Sequence, residues 1–149
     1  MGKIYMITHS FLNLKNIVHG FFSAQGGVSK KPYFSLNCSF NNKDERKNVI
    51  KNLEIVKQKL KIKHLLKINQ IHSSKVMTIE SIKKFNTEFE GDGLVTNLKN
   101  VGISILTADC CPILFYDKKN KVIAACHAGW RGAVNGIVEK TINSMENIG

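Results

Sequence analysis

The sequence predicts an α+β fold, mixed β-sheets with flanking helices, and three observations carry that prediction. An apolar stripe of helical period, backed by lysines, occupies residues 44–61. Short apolar runs of strand length, separated by glycines and polar turns, fill residues 76–126. A second helical stripe closes the chain. At 149 residues the chain has the length of one domain with a substantial core.

The elements follow in order. Ile17 to Phe22 reads as a strand entering a glycine turn at Gly26-Gly27. Residues 32–42 are loop-like. From Asp44 to Lys61, Val49, Ile50, Leu53, Val56 and Leu60 share one helical face, and Asp44 and Glu45 suit its N-terminus. Strands are expected at Val76–Ile79, at Leu94–Thr96 (entered through Gly91-Asp92-Gly93) and at Gly102–Thr107. Pro112–Tyr116 and Lys121–Cys126 form a hairpin across residues 117–120. The last helix runs from about Ala133 to Asn147, with Val134, Ile137, Val138, Ile142 and Met145 on one face.

Composition narrows the function. Apolar residues make up 43% and charged residues 22%, which is globular and argues against a disordered tail. No run approaches the ~18 apolar residues of a membrane span, so no membrane partner is expected. The start, Met1-Gly2-Lys3-Ile4-Tyr5-Met6, carries neither a secretory signal nor a myristoylation pattern, and the default location is the cytoplasm. The net charge is +11, yet only Arg46 and Arg131 are arginines. Nucleic-acid readers lean on arginine forks, and here the charge is scattered lysine, so nucleic acid is not an expected partner. An anionic small substrate is still favoured by the field. Cys38, Cys110, Cys111 and Cys126 form no C-x-x-C pair, and without a secretory signal free thiols are the default.

Three segments are polar where a plain core needs no polarity: Asn69 to Ser74, Thr107 to Pro112 and His127 to Gly132. Each ends a strand-like run, where side chains from separate strands can meet. Strand alternation puts Ile123, Ala125 and His127 on one face and Val122, Ala124 and Cys126 on the other, so Cys126 and His127 do not serve one site. The simplest assembly takes His72, His127 and one thiol of the Cys110-Cys111 pair. Two imidazoles and a thiolate suit zinc, with a fourth position left open. Gly129 and Gly132 flank Arg131 just before a helix, which suits an anion. Asp92 and Asp109 are candidate proton carriers. Five histidines without a His-x-His pair are too few for multicopper chemistry, so copper is less favoured than zinc. A metal-free cysteine hydrolase, with Cys110 as nucleophile and His127 as base, is the rival reading.

Six motifs occur in order: Gly26-Gly27-Val28-Ser29, Tyr33 to Asn37, Gln70 to Ser73, Gly91 to Thr96, Ala108 to Pro112 and His127 to Gly132. Together they resemble the polyphenol oxidase (laccase-domain) family, whose members are named purine nucleoside phosphorylases and in bacteria are also linked to peptidoglycan editing. The resemblance implies one such domain over residues 1–149, with sheets and helices in layers. It implies zinc on His72, Cys110 and His127. It further implies phosphate-dependent cleavage of adenosine, inosine, guanosine and methylthioadenosine, and deamination of adenosine.

Two departures accompany the resemblance. Members usually carry an arginine just before the paired glycines, where this chain reads Ser23-Ala24-Gln25. Members also continue beyond the tryptophan motif. The chain therefore resembles a member's N-terminal part. It is expected to be incomplete at its C-terminal side, to be weakly active or a non-catalytic remnant, and to self-associate through an open strand edge.

Overall fold

The computed structural model describes residues 3–85 and 89–149, so Met1 and Gly2, weighed above as a targeting signal, lie outside it. The chain divides into two compact units, one ending at Lys63 and one beginning at His64.

In the first unit, β1 (Met6–Ile7) pairs antiparallel with β2 (Phe21–Phe22), Met6 opposite Phe22. The strand expected from Ile17 is therefore only its last two residues. Upstream, His19 turns inward and its Nε2 accepts the His9 N–H at 2.8 Å, which draws this stretch to residue 9 rather than into a ladder. Residues 32–42 form turns and bends, as expected. Helix α1 (Arg46–Leu60) opens where Asp44 Oδ1 accepts the Glu45 N–H at 2.8 Å. Hydrogen bonds from Ser29 and Asn37 hold the Asp44 carboxyl below its ordinary range.

The inward face of α1 departs from the apolar stripe. Val49, Asn52, Ile55 and Val56 are buried, while Ile50 is 53% exposed. Asn52 displaces an apolar residue because its amide satisfies the polar backbone of the 28–37 loop. Its Oδ1 accepts the Val28 N–H at 2.8 Å. Its Nδ2 donates to Ser29 Oγ at 2.9 Å, Ser35 O at 3.2 Å and Asn37 O at 2.8 Å. Asn52→Ala leaves the part-buried Val28 N–H and Asn37 O without this partner, each costing about 1–3 kcal/mol, while Ser29 Oγ keeps its bond to Asp44 and Ser35 O keeps the Ser29 N–H. The expected loss of unfolding free energy in urea is ~3 kcal/mol. A loss under ~1 kcal/mol would mean that water replaces the amide.

The second unit holds two sheets. β3 (His64–Leu66), which the sequence pattern did not reveal, runs parallel to β6 (Val101–Ile103). The strand expected to reach Thr107 stops at Ile103. Four further strands pair in the order β4 (Val76–Thr78), β5 (Gly93–Thr96), β8 (Val122–Ala128), β7 (Cys111–Asp117). β4 and β5 are parallel, and the other pairs are antiparallel. The predicted hairpin is β7–β8, seven residues a side.

Alternation along β5 builds a core on each face. Leu94 packs with Leu66, Ile68, Ile79 and Val101. Val95 packs with Val122, Ala124 and Met145. The four-stranded sheet thus lies between the β3–β6 pair and the C-terminal helix, which bears out the expected α+β layering.

The single helix expected from Ala133 is two. α2 (Trp130–Val134) and α3 (Ile137–Glu146) are separated at Gly136, whose φ of 76° suits glycine and ends one helical course before the next begins. The break rotates the stripe. Ile137, Thr141 and Met145 are buried, whereas Val134 is 81% exposed. No helix is long and apolar enough to cross a membrane among the described residues.

Candidate metal centre

The site grows from the register of β5 on β8. Gly93 sits opposite Cys126, so Asp92 falls beside His127, and the His127 N–H donates to Asp92 O at 2.7 Å. Asp92 and His127 share a face, and His127 Nδ1 lies 2.8 Å from Asp92 Oδ1. Both side chains are buried. The carboxylate therefore takes the Nδ1–H and leaves Nε2 with its lone pair outward.

The same carboxylate anchors the loop that carries His72. It accepts the N–H groups of Ile71 at 3.3 Å, His72 at 3.1 Å and Ser73 at 2.6 Å, and the Ser73 hydroxyl at 2.8 Å. Burial pushes the Asp92 carboxyl up, but the bonds from His127, Ser73 and Ile71 outweigh it and leave the group below its ordinary value. Converging N–H groups of this kind require a turned backbone, and His72 takes a left-handed φ of 57°. The result brings the His72 and His127 rings to 4.8 Å, edge to face.

Cys110 arrives from the other side of β8. Cys111 pairs with Ala128, so Cys110 stands just before β7, next to Gly129. A β-carbon at Gly129 would lie 3.1 Å from Cys110 Sγ, 3.1 Å from His72 Cδ2 and 3.8 Å from His127 Cε1. The absent side chain leaves a cradle bounded by all three residues. Their ligand atoms lie within 4.8 Å of one another. Two imidazoles and a thiol around such a cradle fit a single borderline-soft cation. Gly132 permits the neighbouring approach, since a β-carbon there would sit 2.7 Å from Ser73 O.

The remaining candidates fall elsewhere. Cys111 is exposed, with Sγ 3.9 Å from Pro112 O. Cys126 is buried on the opposite face of β8 from His127. Burial pushes its thiol up, partly countered by a hydrogen bond with Thr141 of α3. Asp92, expected as a proton carrier, accepts hydrogen bonds at both oxygens and anchors His127 and the His72 loop. Asp109 is exposed beside Cys110. Arg131 is exposed, its guanidinium 5.2 Å from the Trp130 ring centroid. Among the described residues neither Asp109 nor Arg131 is bonded to the three converging side chains. The anchoring role of Asp92 was hidden in sequence because it depends on register. The Gly91-Asp92-Gly93 step, a charge entering an apolar strand, was the available signal.

The α+β layered unit thus presents, at its strand ends, a thiol–imidazole cluster with the donor chemistry of a metal site. The chain belongs to the multi-copper polyphenol oxidoreductase laccase family, whose sequence profile matches residues 18–149. It is 32% identical over 134 residues to the purine nucleoside phosphorylase YlmD of Bacillus subtilis, covering 84% of this chain and 48% of that protein. It is 35% identical over 140 residues to the purine nucleoside phosphorylase CA_C1699 of Clostridium acetobutylicum, covering 93% and 53%. The crystal structure of Neisseria meningitidis protein NMB0706 superposes with a TM-score of 0.83 at 33% identity, covering 95% of this chain and 57% of that one. The chain thus spans about half the length of the curated relatives it matches.

Proposed function

We propose that this chain carries the zinc centre of a purine nucleoside phosphorylase that also deaminates adenosine. The observation that supports it is the convergence of His72, Cys110 and His127 around Gly129. The purine nucleosides and phosphate come from the names of the relatives and from the family resemblance. Zinc, when bound, supplies a Lewis acid at this point. The protein's own groups do the rest. Asp92 fixes the His127 tautomer and the His72 loop. Arg131, released from Trp130, holds phosphate for attack on the ribose carbon that loses the base. Asp109 carries a proton to or from the departing purine.

The test is release of purine base from adenosine and inosine with phosphate present, before and after chelation. Turnover that needs both phosphate and metal supports the reading. Arg131→Ala is expected to raise the apparent phosphate constant about tenfold or more, since a charge-assisted bond is worth about 1.5–3 kcal/mol. A phosphate dependence equal to that of the parent removes Arg131 from the site.

A second reading has its own support. Cys110, His127 and Asp92 stand in the order of a thiol nucleophile, its base and the base's carboxylate. A metal-free, rapidly alkylated Cys110 would favour this hydrolase over the zinc centre.

β7 closes one side of the sheet, with no strand on its outer edge among the described residues. Its unpaired backbone groups invite a second copy. Sedimentation is expected to give a mass above 16.7 kDa that rises with concentration. A fixed monomer mass rules the edge out as an interface.

A further inference from the structure

We infer that Gln70 is a positioning residue that sets the distance between the two loops carrying His72 and Cys110. This rests on the metal-centre reading above. The parallel β3–β6 ladder ends at Leu66 and Ile103, and the Ser104 N–H makes one more bond to Leu66 O at 2.9 Å. Further along, at Leu106, both backbone groups bond to a side chain, that of Gln70. Its Nε2 donates to Leu106 O at 2.8 Å, and its Oε1 accepts the Leu106 N–H at 2.7 Å. One primary amide thereby mimics a ladder rung and closes both polar groups of a single residue.

The rung stands at a decisive place. His72 lies two residues beyond Gln70, and Cys110 lies four residues beyond Leu106. The turn between Leu106 and Cys110 is closed by the Thr107 hydroxyl donating to Cys110 O. Asp92 already ties His127 to the His72 loop. Among the described residues, the bonds recorded between residues 70–75 and the 104–110 segment are those of Gln70. The β7–β8 register places the thiol beside His127, and Asp92 ties His72 to His127, so Gln70 closes the remaining span, between the His72 loop and the segment that carries Cys110. A glutamine is required because a carboxylate supplies no donor for the carbonyl, and an asparagine is one carbon too short for the span.

The experiment uses the whole chain, stripped of metal and titrated with cobalt(II), comparing parent, Gln70→Ala, Gln70→Glu and Cys110→Ala. The thiolate-to-cobalt absorption reports Cys110, and the visible ligand-field bands report the site as a whole. Gln70→Ala is expected to bind cobalt about 10–100-fold more weakly, as for loss of other outer contacts of metal ligands, with the thiolate absorption falling more than the ligand-field bands. General destabilisation would lower both alike. Gln70→Glu keeps the size and one bond, and is expected to show the same selective loss should the alanine variant fold poorly. In metal-free protein the Leu106 amide should exchange with solvent at least about tenfold faster in Gln70→Ala. Parent-like thiolate absorption and affinity in folded variants overturns the inference, as does unchanged Leu106 exchange. A parent chain that binds no cobalt, or a Cys110→Ala variant that keeps the thiolate absorption, instead overturns the metal-centre reading. Leu106 exchange then still decides whether Gln70 holds the loop.

Discussion

Cys110→Ala is expected to take the zinc content of protein purified without added metal from about one per chain to near zero. The thiolate is the one charged donor of the three, and without it two neutral imidazoles remain, one of them on an exposed loop. The neighbouring thiols cannot substitute. Cys111 is committed to β7, opposite Ala128. Cys126 faces α3 from the far side of β8, next to the Thr141 hydroxyl. Cys111→Ala and Cys126→Ala should therefore retain the metal. Elemental analysis of the three variants side by side settles the matter, and unchanged zinc in Cys110→Ala would sink the ligand set.

Asp92→Ala should produce the largest loss of stability together with a loss of metal affinity. The carboxylate is fully buried and is bonded to three successive backbone N–H groups, a hydroxyl and an imidazole. Removing it strands those donors, and His127 loses the group that fixes its tautomer. Breaking a buried charged hub of this kind costs about 3–5 kcal/mol. Outer-sphere loss at a metal histidine lowers affinity about 10–100-fold. Urea unfolding of the metal-free protein measures the first effect, and zinc competition with a chromogenic chelator the second. A variant within ~1 kcal/mol of the parent would show that solvent can take the place of the carboxylate. Asp92→Asn should fall between the two, since its amide oxygen still accepts while its NH2 meets the remaining donors head-on.

Legibility in the sequence followed the range of the interactions. The β7–β8 hairpin, β5 and α1 were readable because alternation and helical period are local. Alternation likewise separated His127 from Cys126, and the two side chains do lie on opposite faces of β8. It stopped short at Cys110 and Cys111, because Cys110 sits in the turn before β7, where period two no longer applies. β3 and β6 were out of reach or overextended. Each is three residues long, and they pair across more than thirty residues. The inward face of α1 was misjudged at Ile50 and Asn52 because a polar residue filled a polar cavity, which apolar periodicity cannot signal. The last helix was drawn too long because Gly136 was absorbed into the apolar stripe, although a glycine there is what ends α2. The hub at Asp92 needed the β5–β8 register, which no local pattern contains.

The left-handed backbone at His72 sets conformational preference against chemistry. Glycine or asparagine is the more comfortable occupant of that conformation, and neither offers an imidazole. A laboratory screen that rewards heat resistance of the metal-free chain would therefore drift toward asparagine at position 72. It would do so without disturbing the carboxylate anchor, since that bond uses the backbone N–H. The winners would look improved by every fold-based measure and would have lost one imidazole of the candidate metal centre. Position 72 is thus a place where selection for folding and selection for function pull on different atoms of the same residue.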